Sequence, residues 1–86
     1  MAINEDIRIQ LDEEAIVFDN PSFDNAIIAV DQDGRAVYDY DLMVEELMRD
    51  EEWTMEDAIE WIEYNTLRAI PYAGYMAPII VYRLEV

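Results

Sequence analysis

Residues 26–40, reading "AIIAV", then "DQDG", then "RAVYDY", constrain the fold more than any other stretch. Two apolar runs flank a polar break in which Asp31 and Asp33 can bond their own backbone. Gly34 can take the positive φ that a four-residue hairpin loop needs. The pattern predicts two antiparallel strands turning at residues 31–34.

Upstream, "IRIQL" alternates Ile7, Ile9 and Leu11 against Arg8 and Gln10, the period of a half-buried strand. After a turn at "DEE", "AIVF" (residues 15–18) reads as a second short strand, and "DNPSFDN" (19–25) as a loop with Phe23 packed inward. Downstream, Asp41 can cap a helix over 42–50, with Met43, Val44, Leu47 and Met48 on one face. Glu45, Glu46, Arg49 and Asp50 lie opposite, and Glu45–Arg49 is a favourable i, i+4 pair. Thr54 starts a second helix over 55–69, with Glu56 and Asp57 in its first turn and Met55, Ala58, Ile59, Ile62 and Thr66 as its apolar stripe. Pro71 ends it, and a strand follows near 79–85 with Ile80, Tyr82, Leu84 and Val86 on one face.

The order implies a single α+β domain over residues 1–86: an antiparallel sheet of three to five strands with two helices packed on one side. The expected core is Ile9, Val17, Ile28, Val37, Met43, Leu47, Ile59, Ile62, Ile80 and Tyr82. At 53% hydrophobic residues the chain can build such a core.

Charge sets the class of partner. Twenty-one carboxylates face five arginines, with no lysine or histidine, for a net charge of −16. Such a field repels nucleic acid and anionic membranes and attracts basic surfaces. Salt adaptation also yields acidic, lysine-poor chains, but the abundant isoleucine argues against it. No stretch is long and apolar enough to span a bilayer, and "MAINEDIRIQ" has no signal-peptide pattern. With no cysteine, the expected location is the cytoplasm.

Most catalysis is closed to this composition. Without Cys or His, and with Ser22 the only serine, nucleophilic triads and zinc sites lack their residues. Carboxylates alone can serve glycoside hydrolysis or a magnesium site, but Asp39 with Asp41 reads as a cap and its neighbour, and Asp31 with Asp33 as a turn. "DQDG" is no EF-hand loop, because Ala29 and Tyr40 stand where its first and last carboxylates belong. The expectation is no enzyme, no cofactor and no metal.

From Ile16 to Tyr82 the chain resembles small uncharacterised proteins of bacterial phages and mobile elements. The resemblance lies in "VFDNPSFDNAII", in Gly34 with the "RAVYDYDLMVEELM" that follows it, and in "EYNTLRAIPYAG" followed by "APII". In size, acidity and lack of catalytic residues the chain is also similar to phage-encoded inhibitors of host defence, the anti-CRISPR proteins and DNA mimics. That likeness implies binding to a basic groove of a protein such as a CRISPR effector nuclease, with no direct contact to nucleic acid.

"MRDEEWTMEDAIEWIEY", residues 48–64, holds seven carboxylates, two tryptophans and a tyrosine. With Met55, Ile59 and Ile62 inward, Glu56, Glu60 and Glu63 flank one side of the helix, while Asp57, Trp61, Tyr64 and Arg68 fall opposite the core. Either Trp61 and Tyr64 pack beneath neighbouring elements, or they are aromatic anchors inside an acidic rim. On the second reading the partner-binding residues are Asp50, Glu51, Glu52, Trp53, Glu56, Asp57, Glu60, Trp61, Glu63 and Tyr64. The alternative function is a structural or interaction subunit, homodimeric through an exposed strand edge, with no mimic role.

Overall fold

The computed structural model describes residues 5–19 and 21–84. Helix α1 (Glu5–Gln10) leads to hairpin strands β1 (Ile27–Val30) and β2 (Ala36–Asp39). Helices α2 (Tyr40–Glu51) and α3 (Met55–Trp61) follow, then a π turn (Ile62–Thr66), a 3-10 segment (Leu67–Tyr72) and strand β3 (Ile79–Val81). The described residues form an α+β fold, with three strands among them in the order β1-β2-β3.

The hairpin forms as its sequence dictates. Asp31 Oδ1 accepts the N–H groups of Asp33 and Arg35 at 2.9 and 2.7 Å, and Gly34 sits at φ 87°. The Gly34 carbonyl also accepts the Asp12 N–H at 2.9 Å, so the turn is packed against the segment that leaves α1. Pairing runs Ile27–Tyr38, then Ala29–Val37 and Val30–Ala36, which leaves Ile28 as the extra residue of a bulge.

The sheet is mixed. Strand β3 pairs with β2 in parallel, Val37–Ile79 through Asp39–Val81, which corrects the expectation of a wholly antiparallel sheet. The cause is topological: β2 reaches β3 through two helices, and a long crossover permits parallel pairing where a tight turn does not. The strand also ends at Val81 instead of reaching 85, and Val86 lies outside the described residues.

The first two expected strands are absent. "IRIQL" lies mostly within α1, where the Gln10 side chain donates to the Asp6 carbonyl at 2.8 Å, one helical turn away. Ile9 is therefore 76% exposed and outside the core. "AIVF" is irregular. Its Ile16 N–H bonds to the Met76 carbonyl, and its Phe18 N–H donates to the Tyr38 hydroxyl at 3.1 Å, so no ladder forms.

Helix α2 starts two residues early. Asp39, not Asp41, caps it by accepting the Leu42 N–H at 3.1 Å, and the same carboxylate pairs with Arg83 at 3.0 Å. Arg49 pairs with the adjacent Asp50 at 3.1 Å, not with Glu45. Met43, Val44 and Leu47 are buried as expected, but so is Glu46, at 7% exposure. The helix closes on Glu52 in the left-handed conformation, φ 57°. Thr54 then caps α3 through the Asp57 N–H at 3.2 Å.

The core gathers Phe23, Ala26, Ala36, Tyr38, Met43, Val44, Leu47, Ala58 and Ile62. Phe23 faces inward although its backbone is left-handed, φ 54°. Full burial of such a side chain contributes about 1.5–3 kcal/mol, enough to offset that conformation's cost of about 1–2 kcal/mol. Val37 is buried as expected, and Val17, Ile59 and Ile80 are half-buried against the core. Ile28, displaced onto the outer face by the bulge, is 52% exposed. Tyr82 lies past the end of β3, also exposed, its ring tilted 36° to that of Tyr40 with centroids 4.8 Å apart.

Candidate functional site

A chain of rings runs from the sheet to the surface. Tyr38 meets Phe18 at 4.7 Å between centroids, Phe18 meets Phe23 at 5.9 Å, Phe23 meets Trp61 at 6.5 Å, and Trp61 meets Trp53 at 6.5 Å. Tyr38 and Phe23 are fully buried, Trp61 and Trp53 are half-buried. Burial pushes the Tyr38 phenol up to about 12, so it stays neutral, its oxygen held by the Phe18 N–H. The outermost rings are thus fixed by the core behind them.

Beyond Trp61 the helix changes form. The Leu67 N–H bonds to the Ile62 carbonyl, five residues back, and this π turn keeps both Ile62 and Thr66 buried. The second helix is therefore α only to Trp61, in place of the continuous helix to 69 that its periodicity predicts. Asn65 Nδ2 donates to the Trp61 carbonyl at 3.0 Å. Pro71 does not end the helical path but lies inside the 3-10 segment, where it has no N–H to give to the i−3 carbonyl. Single π turns of this kind often mark functional sites.

Together these elements shape a surface cleft of about 400 Å³ lined by Trp53, Asp57, Glu60, Trp61, Tyr64 and Asn65. Trp53 comes from the turn between α2 and α3, the rest from α3 and the π turn. The indoles are tilted 46° to each other, so their faces are not spent on mutual stacking. Tyr64 is 64% exposed at the rim. Asp57 and Glu60 are exposed, and among the described residues neither has an ion-pair partner.

The ten residues expected to bind a partner thus divide. Five line the cleft: Trp53, Asp57, Glu60, Trp61 and Tyr64. Glu51, Glu52 and Glu56 are exposed outside it, and Asp50 pairs with Arg49. Glu63 is tied elsewhere, accepting the Tyr40 hydroxyl at 3.1 Å. Asn65 joins the cleft unforeseen; its only sequence signal is a weak helix former beside Thr66 ahead of Pro71.

A larger hollow of about 500 Å³ lies by Asp12, Glu14, Asp33, Arg35 and Tyr75, but its cation and its phenol already have carboxylate partners. Arg35 pairs with Asp31 at 2.8 Å, and the Tyr75 hydroxyl donates to Glu14 at 3.0 Å. Among the described residues no three Asp or Glu side chains converge as a metal ion would require, and no helix is long and apolar enough to cross a membrane. What the first cleft can do chemically is bind a cation: it joins aromatic faces to free carboxylates. Comparison of the chain with known protein families, with curated proteins and with solved structures finds no match.

Proposed function

We propose that this protein is a non-enzymatic inhibitor that occupies the basic, nucleic-acid-binding groove of another protein and keeps DNA or RNA out. The proposed target is a host defence protein, a CRISPR effector nuclease being the class that best fits an acidic phage-type inhibitor acting in the host cytoplasm. One observation carries the reading: Asp57 and Glu60, free of ion pairs among the described residues, stand beside the rings of Trp53, Trp61 and Tyr64. An aromatic centre supplies affinity once desolvated, and the surrounding charge steers encounter with a basic groove. The net charge of −16 extends that steering beyond the cleft. The test is displacement of labelled DNA from an RNA-guided nuclease, followed by anisotropy at several salt concentrations. Displacement that weakens steeply with salt supports the reading, and no displacement at low salt refutes it.

A second reading, a homodimeric interaction subunit, is favoured by the β3 side of the sheet. There β3 is an edge strand, and Leu84 just beyond it is 93% exposed. Such a dimer would persist at high salt, which sedimentation separates from the first reading.

A further inference from the structure

We infer that the cleft between Trp53, Trp61 and Tyr64 is a receptor for one arginine side chain, the guanidinium stacking on the rings while Asp57 and Glu60 accept its N–H groups. The inference rests on the docking reading for its source of arginine, the basic groove of the partner. It names the contact on which that interface turns.

Shape and charge both point to this occupant. The cleft's volume of about 400 Å³ is at the small end of ligand pockets, with room for a guanidinium and its stem. Its polar lining is rich in acceptors. Asp57 and Glu60 are carboxylates, and Asn65 has an Nδ2–H committed to the Trp61 carbonyl while its Oδ1 remains an acceptor. Three residues apart on a helix, Asp57 and Glu60 are neighbours on one face, about 4.5 Å apart along the axis. A guanidinium presents five donors in one plane, so it can bond to both while its face rests on a ring. An ammonium is compact and strongly hydrated, and gains less from stacking. Anions are excluded by the carboxylates. Arg68 of the same chain is exposed and does not line the cleft. The site is also set in advance, since Trp61 is backed by buried Phe23 and the Trp61 carbonyl is held by Asn65. Little ordering of that ring is left to oppose binding.

The chain has only two tryptophans, so two indole N–H signals in a nitrogen-correlated NMR spectrum report directly on the cleft. The full chain would be titrated at low, fixed salt with acetyl-Gly-Arg-Gly-amide and with its lysine and citrulline counterparts. The expected result is a saturable shift of both indole signals by the arginine peptide, with about threefold or greater weakening for lysine. Citrulline should show no saturation. Asp57→Asn and Glu60→Gln should each weaken arginine binding severalfold without disturbing the rest of the spectrum. Tyr64→Ala, at an exposed ring, should do the same without risk to folding. Equal affinity for all three peptides would overturn the inference, as would indoles that do not move, or tighter binding of tetramethylammonium or spermidine. DNA displacement, run in parallel, separates the two proposals. Displacement without indole shifts removes the arginine receptor alone; indole shifts without displacement remove the docking reading alone.

Discussion

The Trp61 ring lies 6.5 Å from that of fully buried Phe23, centroid to centroid, at an angle of 57°. The surface cleft and the core therefore share a side chain, and a change at Trp61 has two effects. Trp61→Ala should lower stability by about 2–4 kcal/mol, below the full cost of a buried aromatic because the ring is half-exposed. It should also quicken dissociation from a partner. Tyr64→Ala, by contrast, should leave the denaturation midpoint nearly unchanged and affect only binding. Equal loss of stability in both variants would contradict the placement of the two rings.

Ile62→Ala and Met55→Ala read the buried face of α3 and of the π turn that continues it. Ile62 is fully buried and Met55 is exposed, although periodicity puts both on one stripe. Chemical denaturation should show a loss of about 2–5 kcal/mol for Ile62→Ala and almost none for Met55→Ala.

Gly34 and Gly74 separate crowding from backbone strain. Both have positive φ, but a Cβ on Gly34 would lie 2.6 Å from the Asp12 Cβ, whereas a Cβ on Gly74 would meet nothing within 4 Å. Each alanine variant should lose about 1 kcal/mol from its backbone conformation. Gly34→Ala should lose clearly more, measured as the difference between the two denaturation midpoints.

Glu46 sets a pH dependence. Burial pushes its carboxyl up, Asp50 adds to this, and the Asn25 N–H only partly opposes it; the Oε1 atom is buried with no hydrogen-bond partner. A group raised in the folded state stabilises most below its unfolded value of about 4.3, and that contribution is lost as pH rises through the folded value. Glu46→Gln should therefore be more stable than the parent at neutral pH, with the advantage shrinking toward pH 4. Asp39 has the opposite sign. Burial acts to raise its carboxyl, but the Leu42 N–H and Arg83 outweigh it and hold the group low. Its contribution is present above the ordinary carboxylate range and is lost as pH falls. Thermal melts of the parent and the Gln variant across pH 4–8 check the Glu46 sign.

The hairpin at 26–40 was legible because Asp31 and Gly34 have local tasks that their own chemistry reveals. Thr54 was legible for the same reason. Features that depend on distant partners were not. Alternation in "IRIQL" suits a strand, but among the described residues no neighbouring strand pairs with it, and a short helix forms instead. The parallel placement of β3 was implicit in the long helical crossover, yet its apolar pattern carries no direction. A one-residue bulge turned Ile28 outward, and burial of Glu46 reflects the packing of α2 against residues 24–26. At the cleft, the tryptophans and carboxylates stood out in the sequence. The π turn that adds Asn65 did not, since no residue type requires it.

We propose that the acidic aromatic face docks on a basic nucleic-acid-binding groove. The most direct test is DNA displacement from an RNA-guided nuclease by the parent and by the double variant Glu56→Lys, Glu60→Lys. Both side chains are exposed, and Glu63 is left in place because it accepts the Tyr40 hydroxyl. The double variant should keep the parent's far-ultraviolet circular dichroism and lose displacement at low salt, with the association rate falling most. Full displacement by the folded double variant would contradict the proposal.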